Sequence, residues 1–442
     1  MMQKTIIINT LGCSKNRVDS ERLAKQIEAG GHRVLLEREI LPHTQADILI
    51  LNTCGFIQDA KEESIEAILG GVEAKKRGAV QRLLVFGCLS QRYAQTLAAE
   101  IPEVDGFWGA NEPAMVLKAI GQAWQTDVES ERLLSTPAHY AYLKISEGCD
   151  RSCAFCAIPL IRGPHVSTLL EALIIEAELL AAKGVKELLL VAQDTTFYGL
   201  DVYKQRMLAP LMERLARIKG IEWIRLHYAY PAGFPPDVLE LMASHPKICA
   251  YVDIPLQHIS NKVLTAMRRS VDEARTRRLV EQMRKLVPGI CLRTTMMVGH
   301  PKEDKAAFEQ LLSFVAEARF ERLGAFCYSE EEGTHAALHY RDNISPKLKQ
   351  ERYHRLMELQ SGISFAYNQS RVGKRERVLI DRVEPERLVG RTQFESPEVD
   401  GVVYVDLPPD AEACKGMVGV FKEVEIGRAG DYDLFGILHI RK

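Results

Sequence analysis

Cys149, Cys153 and Cys156 stand at spacings of four and three, a pattern that can hold three corners of a cubane iron–sulfur cluster and leave the fourth iron open. Electron-transfer clusters are usually closed by four thiolates, so a missing fourth predicts that substrate or cosubstrate binds at the vacancy. Cys13, Cys54 and Cys88 are three further thiols, each beside a glycine (Gly12, Gly55 and Gly87). Glycine lets the backbone turn tightly and approach a bulky inorganic group. Any one of these cysteines alone reads as a small core hydrophobe; together they predict a second open cluster.

The elements around them make a shared site plausible. From residue 1 to about 125, apolar runs (Thr5–Asn9, Ile48–Leu51, Leu83–Phe86) alternate with helical patterns near Asp19–Ala29 and Lys61–Lys76, which predicts a parallel α/β sheet. Cys13, Cys54 and Cys88 each follow one of those runs, so all three project from the carboxyl edge, where open α/β folds place ligands. After a polar join around Gln125–Pro137, six strand-like runs begin at Tyr140, Glu187, Ile221, Tyr251, Ile290 and Arg322, separated by helical patterns. They predict a partial (βα)6 barrel over 135–345, with the second triad directly after its first strand, where barrel chemistry belongs. A helical connector over 346–371 leads to short alternating strands over 372–442, a small antiparallel β-barrel of the oligonucleotide-binding type. The fold class is therefore α/β with a β-barrel appended.

Composition narrows the class. The chain has 442 residues, Lys+Arg 57 against Asp+Glu 59 and a net charge of -2, so no global basic field recruits nucleic acid. Segment 372–442 carries eleven Lys and Arg against fourteen Asp and Glu, unfavourable for a phosphate-binding module. Charge argues against direct RNA binding without excluding a local basic patch. Cys 10 in a chain this long is too sparse for a disulfide scaffold, which predicts a reducing, cytoplasmic setting. The apolar run Thr5–Ile8 is too short for a signal or membrane segment, and a soluble monomer is expected.

With Phe155 before its last cysteine, the triplet at 149–156 resembles that of the radical S-adenosylmethionine (SAM) superfamily. Leu11–Asn16, Asn52–Ile57, Tyr140–Cys149, Asp253–Ser260 and Glu395–Gly401 resemble the corresponding stretches of the RimO type within its methylthiotransferase branch. That branch has an N-terminal cluster domain, a radical barrel and a C-terminal TRAM domain. The resemblance implies two 4Fe-4S clusters, one on each triad, with SAM on the open iron of the second. It implies a 5'-deoxyadenosyl radical that abstracts hydrogen from the β-carbon of an aspartate in ribosomal protein S12 (uS12), followed by transfer of a methylthio group. It also implies a low-potential electron donor such as flavodoxin or ferredoxin, and RNA contact only by way of the ribosome. Val298–Asp304 departs from the family pattern, which expects Phe after the glycine and a second Gly before the Glu.

Phe155 is expected to lie against the adenine. Other polar residues at strand ends, Gln193, Asp194, His227, Gln257 with His258, and Arg293, are candidate cofactor-positioning groups, each equally readable as a structural hydrogen-bonder. Cys249, Cys291, Cys327 and Cys414 read as packing residues. Lys75–Arg77, Arg268–Arg269 and Glu330–Glu332 read as solvated faces, the acidic run also as a rim that attracts a basic protein. Two rivals remain. One is a MiaB-type enzyme acting on a transfer RNA adenosine. The other is a zinc-bearing binding protein, with His165 completing the second triad.

Overall fold

The computed structural model describes residues 3–37, 45–406 and 416–438. Cys414 lies outside the described residues, as does the end of the last expected strand. The N-terminal sheet is wholly parallel, with β1 (Thr5–Thr10), β2 (Arg33–Glu37), β3 (Ala46–Thr53), β4 (Val80–Gly87) and β5 (Gly106–Gly109) in the order β2-β1-β3-β4-β5. Strands β1, β3 and β4 are apolar and almost continuously buried, as expected when helices cover both faces of a parallel sheet. Helices α1 (Ser14–Ala29), α2 (Gln58–Lys76) and α3 (Cys88–Glu100) follow β1, β3 and β4. β2 and β5 carry weaker patterns, in Arg33–Glu37 and in Gly106–Gly109, with two glycines in four residues, and they form the two edges.

Six parallel strands make the central unit: β6 (Tyr140–Lys144), β9 (Glu187–Val191), β10 (Trp223–Leu226), β11 (Ile248–Asp253), β12 (Cys291–Val298) and β13 (Arg322–Cys327), in the order β13-β12-β11-β10-β9-β6. A two-stranded hairpin, β7 (Ser146–Glu147) and β8 (Val166–Ser167), brackets the second triad. The face toward the surrounding helices is apolar, with Leu143, Leu190, Leu226, Val252 and Leu292 in one large core. The concave face instead carries buried Glu187, Arg225, Tyr251 and Arg322 and the half-buried Arg293, a set that needs polar partners to be tolerated inside.

Those partners come from the C-terminal barrel. Strands β14 (Arg375–Val383), β15 (Arg387–Arg391), β16 (Val403–Asp406), β17 (Phe421–Ala429) and β18 (Leu434–Leu438) close in the order β14-β15-β16-β18-β17. β16 and β18 pair parallel, where an all-antiparallel barrel was expected; an odd number of strands cannot close with every neighbour antiparallel. The segment Thr392–Asp400 enters the concave face of the central sheet. There Arg225 donates to the Gln393 carbonyl at 2.6 Å, Tyr251 donates to Asp400 at 2.7 Å, and Arg322 meets Glu395 at 2.9 Å. The joining stretch is less solvated than its composition predicts: Arg132 within it is 1% exposed, set between Glu21 and Glu176. Among the described residues no helix is long and apolar enough to cross a membrane.

Candidate active site

Three adjacent strands, β1, β3 and β4, deliver the first triad. Cys13 caps α1, Cys54 follows β3 directly, and Cys88 opens α3 directly after β4. Close backbone approach is what demands glycine here: at Gly12, φ +83°, a β-carbon would sit 2.6 Å from Cβ of Cys54. Asn16 ties the edge together. Its side-chain amide donates to the carbonyls of Leu11 and Thr53 at 3.0 and 3.2 Å, and Asn52 donates to the Asn16 carbonyl at 2.8 Å.

Cys149, Cys153 and Cys156 project from the loop between β7 and β8 at the carboxyl end of the central sheet. Both triads line one chamber of ≈ 380 Å³, together with Lys15, Phe155, Arg162, Gln193, Tyr228 and Gln257. Cysteines 136 positions apart in sequence, Cys13 and Cys149, thus face a common volume.

Each triad is met by a guanidinium. Arg162 donates to Sγ of Cys88 at 3.3 Å and to Oδ1 of Asn16 at 2.5 Å, and pairs with Asp19 and Glu147. Arg269 donates to Sγ of Cys153 at 3.4 Å and to the Pro255 carbonyl at 2.6 Å. Arg269 was expected on a solvated face, and the fold corrects that: the turn after helix Asn261–Ala266 carries it into the chamber wall. Glu331 is corrected likewise. It is 2% exposed and bonded to Lys61 and Arg92 of the N-terminal unit, a strut between units. Burial pushes the Cys54 and Cys156 thiols up to about 12 and Cys149 to about 11. For Cys13, burial acts in the same upward direction but is outweighed by Lys15 and the Asn16 amide, so its thiol lies below the ordinary value. Binding to metal deprotonates such thiols outright.

The sequence-predicted positioning residues divide. Phe155, Gln193 and Gln257 lie on the chamber wall. Among the described residues Oε1 of Gln193 and of Gln257 is buried without a hydrogen-bond partner, and Gln257 sits at φ +73°, a costly backbone for a non-glycine residue. Asp194 lies behind the wall, accepting from Nε of Arg151 at 2.8 Å and capping Thr196. His227 turns to Ser396 Oγ at 2.9 Å; burial, with Arg225 and Arg293 nearby, holds its pKa well down. Arg293 pairs with Asp253 at 3.1 Å and Asp400 at 3.4 Å. His227 and Arg293 therefore serve the seam with the C-terminal barrel, because Thr392–Asp400 fills the concave face below the chamber. His258 pairs with Glu303 in the departing loop, where Glu303 also accepts from Gly299 N and Arg352, away from the chamber lining. Sequence reasoning missed Lys15, Asn16, Asn52, Arg162 and Arg269 as site residues, although Lys15, Asn16 and Asn52 stand within three residues of a triad cysteine.

The donor chemistry suits a cubane rather than a single ion. Each triad brings three thiols to the wall of one chamber, the donor set of a cubane with one iron open, in which each thiolate binds a different iron. His165 does not complete the second triad: it lies against Ser167 at 3.1 Å and packs on Phe197. That geometry removes the basis of the zinc reading.

An open parallel barrel with a three-cysteine loop after its first strand defines a radical SAM enzyme, and the family model of the radical SAM superfamily matches residues 143–315. Models of the uncharacterized protein family UPF0004 and of the TRAM domain match 5–109 and 372–438. Solved structures share the fold: the SAM methyltransferase TsrM from Kitasatospora setae has a TM-score of 0.55 at 14% identity, covering 76% of this chain and 77% of that one. The cobalamin-dependent radical enzyme OxsB gives 0.52 at 13%, covering 82% and 56%. Curated relatives are much nearer. Proteins named ribosomal protein uS12 methylthiotransferase RimO are 50% identical over 439 residues in Bacteroides fragilis (99% of each chain) and 51% over 435 in Phocaeicola vulgatus (98% of this chain, 99% of that one). The chain belongs to the RimO family of radical SAM methylthiotransferases, and membership implies SAM and a 4Fe-4S cluster as cofactors.

Proposed function

We propose that this protein methylthiolates the β-carbon of an aspartate in ribosomal protein uS12, in the cytoplasm where ribosomal proteins are assembled. The supporting observation is the single chamber lined by both cysteine triads. In this reading Cys149, Cys153 and Cys156 hold one 4Fe-4S cluster and Cys13, Cys54 and Cys88 a second. When bound, the clusters and SAM supply the radical chemistry and the sulfur that side-chain acids and bases cannot provide, because the substrate C–H bond is too weakly acidic.

The chain's own residues bind, orient and shield. Arg162 and Arg269 offset thiolate charge at Cys88 and Cys153. Phe155 offers the adenine an apolar face, and the free Oε1 atoms of Gln193 and Gln257 accept hydrogen bonds from SAM. Asp194 is a positioning residue, fixing Arg151 against the Tyr230 ring, 4.0 Å from its centroid. Opposed sheet edges enclose the volume, so that a carbon radical is quenched where it forms. A low-potential one-electron donor of the flavodoxin or ferredoxin class completes the system.

Two observations favour a protein substrate over transfer RNA: the acidic C-terminal segment, and the commitment of Thr392–Asp400 to the interior of the central sheet. The test is anaerobic incubation of the cluster-loaded enzyme with reductant, SAM and either uS12 or a transfer RNA pool. Mass spectrometry should find one methylthio group on an aspartate of uS12 and none on RNA. Unmodified uS12 from enzyme with both clusters intact would defeat the assignment.

A further inference from the structure

Lys15 is the second residue of α1 and only 9% exposed. It crosses the chamber from the N-terminal unit, placing Nζ 3.5 Å from the centroid of the Tyr228 ring on the opposing wall, just beyond β10. Among the described residues it has no Asp or Glu within ion-pair distance. Of the other cations of the chamber, Arg162 is matched by Asp19 and Glu147 and Arg151 by Asp194, while Arg269 donates to a cysteine sulfur and a carbonyl. The amino end of α1 has no side-chain cap and no acidic residue in its first turn, and its Lys15 and Asn16 amides turn to the Cys13 sulfur, which leaves the Lys15 ammonium as the group without a carboxylate. An ammonium buried without a counter-ion is costly, and a ring face compensates it only in part.

Such a site selects an anion. Each triad already has a guanidinium donating to one of its sulfurs; Lys15 acts on Cys13 through space but places its Nζ against the far wall. The proposed reaction acts on the carbon bonded directly to the substrate's side-chain carboxylate carbon, so whatever fixes the carboxylate also fixes the reacting C–H bond. We propose that Lys15 Nζ, backed by the Tyr228 ring, is the binding site for the side-chain carboxylate of the substrate aspartate. The inference rests on the reading of uS12 as substrate. It makes Lys15 a specificity determinant: an aspartate is held and a neutral side chain is not.

The test is equilibrium binding to the anaerobic, cluster-loaded enzyme with SAM and no reductant. The probes are uS12 and its variant with asparagine at the modified aspartate. Wild-type enzyme should bind uS12 at least ~10-fold tighter than the asparagine form, in line with a hydrogen bond to a charged group. Lys15→Met, which keeps side-chain length, should bind both equally, at the level of the weaker wild-type complex, with wild-type iron content and SAM affinity; Lys15→Arg should restore part of the preference. A Lys15→Met enzyme that still prefers uS12 overturns the inference. So does one that loses iron or SAM affinity instead, since the cation would then serve a cofactor. Wild-type enzyme that binds neither form of uS12 overturns the substrate reading itself, and the inference with it.

Discussion

Removing the Glu395 carboxylate should detach the C-terminal barrel before the rest of the protein unfolds. Glu395 is 1% exposed and accepts from Arg322 at 2.9 Å, from Arg371, and from Thr392 N and Oγ1 at 3.0 and 2.6 Å. Burial raises the cost of its charge, but Arg371 and Arg322 more than reverse that and hold its pKa far below the usual carboxylate range. Breaking a buried pair by removing one partner costs about 3–5 kcal/mol. Arg371 retains Glu376, whereas Arg322 keeps only neutral acceptors such as Asn368. The lower end therefore applies: about 3 kcal/mol for Glu395→Ala, and about 2 kcal/mol for Glu395→Gln, which keeps the shape and loses the charge. Trp223 of β10 packs edge-on against Phe421 of β17, ring centroids 4.7 Å apart, so its fluorescence reports this seam directly. With Trp108 and Trp124 replaced by Phe, urea titration should show the Trp223 transition moved to lower denaturant by these amounts. Glu384→Gln, at an exposed pair with Arg382 and Arg387, should leave it in place. A shift under about 1 kcal/mol for Glu395→Ala, or equal shifts for the two sites, would refute the reasoning.

Acid should loosen the same seam. Asp381 binds Arg391 through both oxygens and His139 at 2.8 Å; burial opposes its ionisation, but Arg391 and His139 bring its pKa from 3.8 to about 2. Because the folded value lies below the unfolded one, its contribution, about 2 kcal/mol by linkage, is complete above pH 3.8 and vanishes as pH falls through about 2. Asp381→Asn should flatten the Trp223 transition across that window. Gly12→Ala should displace Cys54 and lower iron content while sparing the second triad, read as loss of about half the iron with the remainder still responding to SAM by electron paramagnetic resonance. Arg162→Met should leave Asp19 and Glu147 with only Lys144 of the two cations they share, and limited proteolysis should then cut between the N-terminal and central units faster than in the wild type.

Both triads, the three-unit order and the six central strands were legible in the sequence, because spacing and strand ends are local properties. Two edge strands were not, since Gly106–Gly109 and Arg33–Glu37 owe their conformation to neighbours rather than to pattern. The polar groups at strand ends were harder still. Gln193 and Gln257 reach the chamber, but His227 and Arg293 are claimed by Ser396 and Asp400 from a segment that begins about a hundred residues beyond Arg293. Arg162 and Arg269 escaped because their partners lie on separate elements: Arg162 joins Asn16, Asp19, Cys88 and Glu147. A strand end is visible in sequence, but what covers it is not.

The central claim is that the two triads share one chamber. Its most direct measurement is electron paramagnetic resonance of the fully reduced, reconstituted protein, compared with variants carrying alanine at Cys13, Cys54 and Cys88 or at Cys149, Cys153 and Cys156. Two clusters facing one volume of ≈ 380 Å³ should give a spectrum broadened by spin–spin interaction that the two variant spectra cannot be added to reproduce. A wild-type spectrum equal to their simple sum would contradict the account.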